Sequence, residues 1–205
     1  EIANRTAKMI VEWFRVGFVH GVMNTDNMSV LGLTIDYGPF SFLDDYDLNF
    51  TPNTTDLPGR RYAFGNQGKI AQWNLWQLAN ALFPLIKDEK ILEKTLNDFT
   101  EIFWEKHDKM MAEKFGFDSV LESDGEFFTE AQQLLGDLRI DYTLFFNRLE
   151  ELKEDSDLRI HFQDACYNPI LEGQFVQLEN FIKNYKTRLE KNTISKTESL
   201  ELMKK

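Results

Sequence analysis

The sequence has very little cysteine: Cys166 is the only one in 205 residues. One thiol cannot form an internal disulfide, and the Cys-x-x-Cys and Cys/His spacings of zinc sites are absent. We therefore expect a reducing compartment and a packed, unreactive thiol at Cys166. Long apolar runs are also missing, since none reaches the roughly 18 residues that a membrane-spanning helix needs. This absence predicts no membrane partner.

Basic residues are scarce relative to acidic ones. Lys and Arg number 23 against 34 Asp and Glu, which gives a formal net charge of −11. Proteins that bind nucleic-acid backbones need a basic surface, so the charge disfavours a nucleic-acid partner. A site for a phosphate-rich ligand would have to offset this acidity with metal ions or with basic groups from elsewhere. By contrast Phe is over-used, with 18 residues, and predicts a core rich in aromatic rings.

Helical periodicity dominates the chain and predicts a mainly α fold. Apolar side chains recur at helical spacing in residues 2–18, and the pattern returns after residue 68. The further predicted helices cover about 69–86, 89–115, 127–136, 140–153, 157–166 and 171–191. Between the first helix and these lies a segment, 41–68, rich in Asp, Asn, Pro, Gly and Thr. A long loop inside a compact domain is usually functional.

Two short β-prone runs, residues 29–31 and 33–35, flank Gly32. This pattern predicts a small β-hairpin that ends at the sequence Asp36-Tyr37-Gly38. One hairpin cannot form a core alone, so it must lie on the helices or pair with another domain.

The residues around this hairpin carry the chemistry. A protein kinase catalytic loop reads H-R-D-x-x-x-x-N and is followed by a short hairpin and D-F-G. Here Asn27 stands seven residues after His20, and Asp36-Tyr37-Gly38 takes the place of D-F-G. Asn27 and Asp36 supply the oxygen ligands that Mg²⁺ prefers, with Mn²⁺ as an alternative ion. The order of the segments predicts a metal-dependent site for ATP.

One position departs from the kinase pattern. Val22 stands where a kinase keeps its catalytic Asp, which disfavours an ordinary protein kinase. Asp26, directly before Asn27, is the candidate proton acceptor instead. Asp and Asn also favour turns for local reasons, and for an isolated Thr-Asp-Asn triplet that interpretation would be preferred.

Residues 20–29 and 33–40 together closely resemble the signature of the selenoprotein O family of pseudokinase protein adenylyltransferases. Further matches are Phe42-Leu43-Asp44, Arg61-Tyr62, Asn66-Gln67 and Trp73-Asn74-Leu75. The resemblance is dense over residues 1–85 and slight beyond 150. It implies a kinase-like fold that transfers AMP from ATP to Ser, Thr or Tyr hydroxyls of proteins. It assigns the proton acceptor to Asp26 and the metal to Asn27 and Asp36, with Asp36 also contacting the nucleotide.

The resemblance also implies how the chain is organised. Residues 1–205 correspond to one kinase-like C-lobe fragment, a helical bundle whose small β-hairpin carries the catalytic and metal-binding loop. Within it, 1–85 hold the catalytic loop, Asp36-Tyr37-Gly38 and the long loop, 86–192 form a helical extension and 193–205 a frayed tail. The N-lobe of the same chain is then the missing partner, and the isolated fragment should be inactive. The expected compartment is the bacterial cytoplasm, or the mitochondrion for a eukaryotic protein.

Two functional classes stay open at this stage. The enzyme hypothesis is supported by Asp26, Asn27 and Asp36. A catalytically inert pseudokinase that only binds a partner is supported by Val22 and by the lacking N-lobe. The roles of Arg60 and Arg61, which could contact phosphate, also stay open.

Overall fold

The computed structural model describes residues 1–204 and is mainly helical, as the periodicity predicts. The helices are α1 (Ile2–Val16), α2 (Gln67–Ile86), α3 (Glu89–Lys114), α4 (Asp124–Leu138), α5 (Tyr142–Glu150), α6 (Leu158–Phe162), α7 (Glu172–Leu189) and α8 (Lys196–Met203). Single 3₁₀ turns lie at Thr25–Asn27, Thr54–Asp56, Phe64–Asn66 and Gln163–Ala165. No helix in this described part of the chain is both long and apolar enough to cross a bilayer.

The predicted hairpin at residues 29–35 is wrong in its position. The structure instead pairs β1 (Phe18–Val19) with β2 (Ser41–Phe42) in an antiparallel sheet. The two strands therefore flank the loop 20–40, which contains all of the candidate site residues. The polar groups of 34–35 bind side chains rather than a neighbouring strand: Trp13 Nε1 donates to Thr34 Oγ1 at 2.9 Å. Gly32, at φ +70°, turns the chain tightly against α1, where an added Cβ would lie 2.8 Å from the Cβ of Arg5.

A further helix, α8, lies in the segment for which the sequence predicts a frayed tail. Ser195 caps this helix and exchanges hydrogen bonds with Glu198, the reciprocal arrangement of a capping box. Ser199 is buried and donates to the carbonyl of Gly116 at 2.6 Å. Residues 193–204 are polar in sequence, so no apolar period signals this helix, and its stability comes from the cap and from tertiary contact.

The chain divides into two compact units. The first contains residues 1–42 and 48–107. Its α1 is amphipathic, and the apolar stripe that includes Ala7, Ile10 and Trp13 is buried. Helix α1 contacts α2, and Phe14 of α1 packs on Phe64, with ring centroids 4.9 Å apart. This first unit carries all of the candidate site residues.

The second unit contains residues 43–47 and the chain from 108 onward. Its core is aromatic, as the phenylalanine count predicts: Phe115, Phe145 and Phe181 are fully buried. Cys166 is half-buried beside this core, and burial raises the pKa of its thiol to about 11. The thiol is therefore protonated at neutral pH, which agrees with the expectation of an unreactive cysteine.

A buried ion pair also holds the second unit together. Arg188 of α7 donates to both carboxylate oxygens of Asp124 at 2.7 and 2.9 Å, and to the carbonyl of Ser119 at 2.7 Å. The Arg188 and Asp124 side chains are only 5% and 1% exposed. Removing one partner would leave a buried charge without compensation.

We therefore predict that Arg188→Met lowers the free energy of unfolding by about 3–5 kcal/mol. Lys94→Met is the matched control, because it breaks the exposed pair with Asp98 and should leave stability nearly unchanged. Denaturant unfolding followed by circular dichroism measures both variants. Equal midpoints for the two would contradict the assignment.

Candidate functional site

His20 joins the two segments that carry the candidate site. The ring is 1% exposed, and its Nε2 lies 2.8 Å from the carbonyl of Ile35, directly before Asp36. Its Nδ1 accepts the backbone N–H of Val22 at 3.3 Å. Because a carbonyl can only accept, the hydrogen-bond pattern requires the neutral tautomer with the proton on Nε2. The buried His20 ring thus connects the residue before Asp36 to the beginning of the loop, at Val22.

Asn27 ends the 3₁₀ turn Thr25–Asn27 and is half-buried. Its Nδ2 donates to the carbonyl of Val22 at 2.9 Å. This bond fixes the orientation of the amide, since only the nitrogen can donate, and it leaves Oδ1 as the atom available to a ligand. Asp26, in the middle of the same turn, presents an exposed carboxylate. The turn therefore presents one amide oxygen and one carboxylate from adjacent residues.

Asp36 occupies an unusual backbone conformation. Its φ is +53°, in the left-handed region, and the N–H of Gly38 bonds to its carbonyl at 2.7 Å. Asp tolerates this region better than most residues, yet such conformations cost about 1–3 kcal/mol and concentrate at functional sites. The following Tyr37 packs on Phe18 and Phe40, with centroids 6.3 and 5.3 Å away. These rings hold the turn in place and leave the Asp36 carboxylate exposed.

The oxygen donors of Asn27 and Asp36 are of the kind that a hard divalent cation such as Mg²⁺ prefers. Within residues 1–204, no group of three or more His, Cys, Asp or Glu side chains is arranged to hold a metal. Asn27 and Asp36 instead offer an amide oxygen and a carboxylate. Mg²⁺ is typically held by one or two carboxylates together with substrate phosphates and waters, so few protein ligands suffice.

Two buried amide side chains of α2 form hydrogen bonds to the backbone at the start of the loop. Gln67 is fully buried; it accepts the N–H of His20 at 3.0 Å and donates to the carbonyl of Phe18 at 2.9 Å. Asn74, two turns further along α2, donates to the carbonyl of Met23 at 3.0 Å. The loop is therefore attached to α2 both where it leaves β1 and just before the turn at Asp26.

The long loop predicted for residues 41–68 braces the other side of the site. Asn53 donates to the carbonyl of Gly21 at 3.1 Å, and the Tyr62 hydroxyl donates to Asn24 Oδ1. The carboxylate of Asp56 accepts the N–H groups of Arg61 and Tyr62 at 2.9 and 2.8 Å, and so sets the position of Tyr62. The loop is thus ordered, and it contacts the residues immediately before Asp26.

A cavity of about 370 Å³ lies between α2 and the loop that contains Asp26 and Asn27. Thr25, Met28 and Ser29 border it on one side and Asn74 and Leu78 on the other. Asn74 Oδ1 is the one buried side-chain nitrogen or oxygen without a hydrogen-bond partner among the described residues. The loop is therefore not closely packed on α2 at this point, and its position depends on individual hydrogen bonds.

The sequence points to Asp26, Asn27 and Asp36 as candidates, but not to the buried side chains that hold their backbone in place. Gln67 and Asn74 belong to the residues that resemble the family signature, and a physical signal for their role is also present in the sequence. Together with Ile70 and Ala71 they form the i, i+3, i+4, i+7 buried stripe of α2, and a polar amide on such a stripe needs a partner. Arg60 donates to the carbonyl of Asn49, and Arg61 stacks on Trp73, 4.6 Å from its ring centroid.

Comparison with known proteins gives the family. A family model described as Protein adenylyltransferase SelO matches residues 1–205. A protein nucleotidyltransferase YdiU of Cytophaga hutchinsonii is 47% identical over 207 residues, which cover 99% of this chain and 40% of that relative. The protein of the same name from Xanthomonas oryzae pv. oryzae is 42% identical over 205 residues, with 100% and 40% covered. A third, from Aromatoleum aromaticum, is 46% identical, with 82% and 32% covered.

The chain thus spans about two fifths of the length of the Cytophaga and Xanthomonas relatives. The match nevertheless runs over the whole of this chain, including the loop that His20 fixes and the turn at Asp36. This chain belongs to the SelO family of protein adenylyltransferases.

Proposed function

We propose that the full-length protein transfers AMP from ATP to Ser, Thr or Tyr hydroxyls of proteins, with this chain as a kinase-like C-lobe. The observation that carries the proposal is that the two ring nitrogens of His20 bond two different segments, at Ile35 and at Val22. The ring ties the loop that carries Asp26 and Asn27 to the residue before Asp36, so that three oxygen-bearing side chains belong to one braced substructure. Positioning of this kind supplies much of the catalysis in phosphorus chemistry.

Asn27 and Asp36 are the proposed ligands of Mg²⁺, with Mn²⁺ as the alternative ion. The orientation of the Asn27 amide supports this role, since its nitrogen is engaged by Val22 and its oxygen is left for a cation. A bound Mg²⁺ would neutralise charge on the phosphates of ATP. The same Asp36 carboxylate would in this way bring the nucleotide to the loop.

Asp26 is the proposed proton acceptor. The hydroxyl oxygen of the protein substrate attacks the α-phosphorus of ATP, and the bond from that phosphorus to the oxygen that bridges it to the β-phosphorus breaks. Pyrophosphate leaves with the bonding pair, and the hydroxyl proton passes to the Asp26 carboxylate. The exposure of Asp26 supports this role, because a base for a protein substrate must be reachable from outside.

A second candidate is an inert pseudokinase that binds a partner without chemistry. It is favoured by Val22, whose N–H and carbonyl are both engaged within the loop and whose side chain cannot accept a proton. The retained Asp26 carboxylate, four residues on, favours the enzyme instead.

Mass spectrometry of candidate protein substrates tests the proposal. Full-length protein, ATP and Mg²⁺ should add adenylyl groups to Ser, Thr or Tyr side chains, and the peptide fragments should locate each one. Detection of phosphoryl groups alone would reject AMP transfer, and the absence of any adduct would favour the inert binding protein.

We expect the isolated 205-residue chain not to transfer AMP. The relatives named protein nucleotidyltransferases are about two and a half times as long, and groups that position the triphosphate would have to come from that additional length. The measurement compares label transfer from ATP by this chain and by the full-length protein at equal concentration. Measurable turnover by the short chain would contradict the expectation.

A further inference from the structure

Gln67 is placed to control the geometry of the whole loop. Its side chain is fully buried and bonds two backbone groups on either side of Val19, the carbonyl of Phe18 and the N–H of His20. One amide therefore fixes the peptide planes that enter and leave Val19. Because the backbone of His20 sets the direction of its Cα–Cβ bond, Gln67 also helps to place the His20 ring.

From His20 the constraint branches to both halves of the site. One branch runs from His20 Nε2 to the carbonyl of Ile35, next to Asp36. The other runs from Nδ1 to the N–H of Val22, whose carbonyl receives Asn27 Nδ2. Each step is a hydrogen bond between groups that are at least partly buried, so a displacement at Gln67 would reach Asn27 and Asp36 without a change in either residue.

The polarity of the α2 stripe suggests that it does more than hold the core together. Buried amides are costly unless every group is paired, and apolar residues would fill the same stripe with less risk. Asn74 even leaves its Oδ1 without a partner while its nitrogen holds the carbonyl of Met23. A buried amide with an unpaired oxygen destabilises the fold. Its presence is explained if the loop backbone that it binds must stay in one conformation.

We propose that Gln67 is a positioning residue for AMP transfer: it holds the loop so that Asp26, Asn27 and Asp36 face the reacting groups together. The inference rests on the proposed function and extends it to a residue that touches neither ATP nor the substrate. It differs from a purely structural role in one respect. Loss of Gln67 must reduce the rate of the bound complex, beyond any loss of folded protein.

The first test compares two glutamines on the same helix. Gln67→Met in the full-length protein removes both hydrogen bonds at similar side-chain volume, and kcat should fall by about 10- to 100-fold, as expected for a small misplacement of reacting groups. The KM for ATP should change much less. Gln72→Met is the control, because Gln72 donates to Thr100 at 2.8 Å, away from the loop. Its kcat should equal that of the wild type, with folding of both variants checked by thermal unfolding.

The second test uses pH to restore the bonds. In Gln67→Glu a protonated carboxyl can accept the N–H of His20 and donate its O–H to the carbonyl of Phe18, whereas an ionised carboxylate would face that carbonyl without a proton. Burial raises the pKa of a carboxyl group. The kcat of Gln67→Glu, divided by that of the wild type at the same pH, should therefore rise as the pH falls. Dividing by the wild type removes any pH dependence that both proteins share.

Three outcomes decide the inference. A lower kcat in Gln67→Met together with recovery of Gln67→Glu at low pH supports it. If the wild type is active, either of two results overturns the inference and leaves the proposed function in place. One is an unaltered kcat in Gln67→Met. The other is a poorly active Gln67→Glu whose kcat, divided by that of the wild type, does not change with pH. A wild type that transfers no AMP overturns the proposed function and this inference together.

Discussion

Asp36→Ala in the full-length protein should abolish AMP transfer and Mg²⁺-dependent ATP binding together. Asp36 supplies the only carboxylate among the two proposed metal ligands, and a hard cation held by so few protein oxygens cannot tolerate its loss. Isothermal titration with ATP, with and without Mg²⁺, measures the binding. Transfer of radiolabel from ATP measures the activity.

The backbone of Asp36 calls for a second substitution. Because its φ is +53°, alanine would add strain at this position, whereas asparagine tolerates the left-handed region. Asp36→Asn therefore removes the charge with little change in backbone preference, and it should also lose Mg²⁺-dependent binding. Asn27→Ala should weaken binding less, since a neutral amide contributes less charge to the ion. If Asp36→Asn binds Mg²⁺ and ATP like the wild type, Asp36 is not a metal ligand.

Asp26→Ala should lower the rate of AMP transfer by about 10²- to 10⁴-fold and leave the affinity for ATP nearly unchanged. A positioned general base typically contributes that factor, and it acts on the hydroxyl of the substrate rather than on the nucleotide. Single-turnover measurements at saturating ATP give the rate, and the same titrations as for Asp36 give the affinity.

The control for Asp26 is the loss of an exposed carboxylate elsewhere. Asp155→Ala removes one exposed negative charge from the second compact unit of the chain. It should change neither the rate of AMP transfer nor the affinity for ATP. If Asp26→Ala lost ATP binding as severely as Asp36→Ala, Asp26 would be a metal ligand, and the proton acceptor would have to be another group.

The helical fold was predictable because its signal is local. Apolar residues at helical spacing mark α1 and α7, and the structure has helices there. The hairpin expected at residues 29–35 failed because β propensity does not identify a partner. In the structure the Ile35 carbonyl is bound by His20, and strand pairing occurs at Phe18–Val19 and Ser41–Phe42 instead. Both contacts join residues that are distant in sequence, which propensity cannot foresee.

The roles of the candidate site residues stay predictions. Asp26, Asn27 and Asp36 follow from their order and spacing, because such chemistry needs oxygen ligands and a base close together along the loop. A polar amide such as Gln67 on the apolar stripe of α2 signals that it needs a partner, but nothing local in the sequence identifies that partner as His20, 47 residues away. The structure adds this layer of buried amides, which form hydrogen bonds to the backbone before Asp26.

The most direct test of AMP transfer uses ATP labelled in two positions. Full-length protein is incubated with Mg²⁺ and a protein substrate in two parallel reactions, one with label on the α-phosphate and one with label on the γ-phosphate. Our account predicts that protein becomes labelled only in the α reaction, and that Asp36→Asn removes the signal. Label transferred only from the γ-phosphate would mean phosphorylation and would contradict the account.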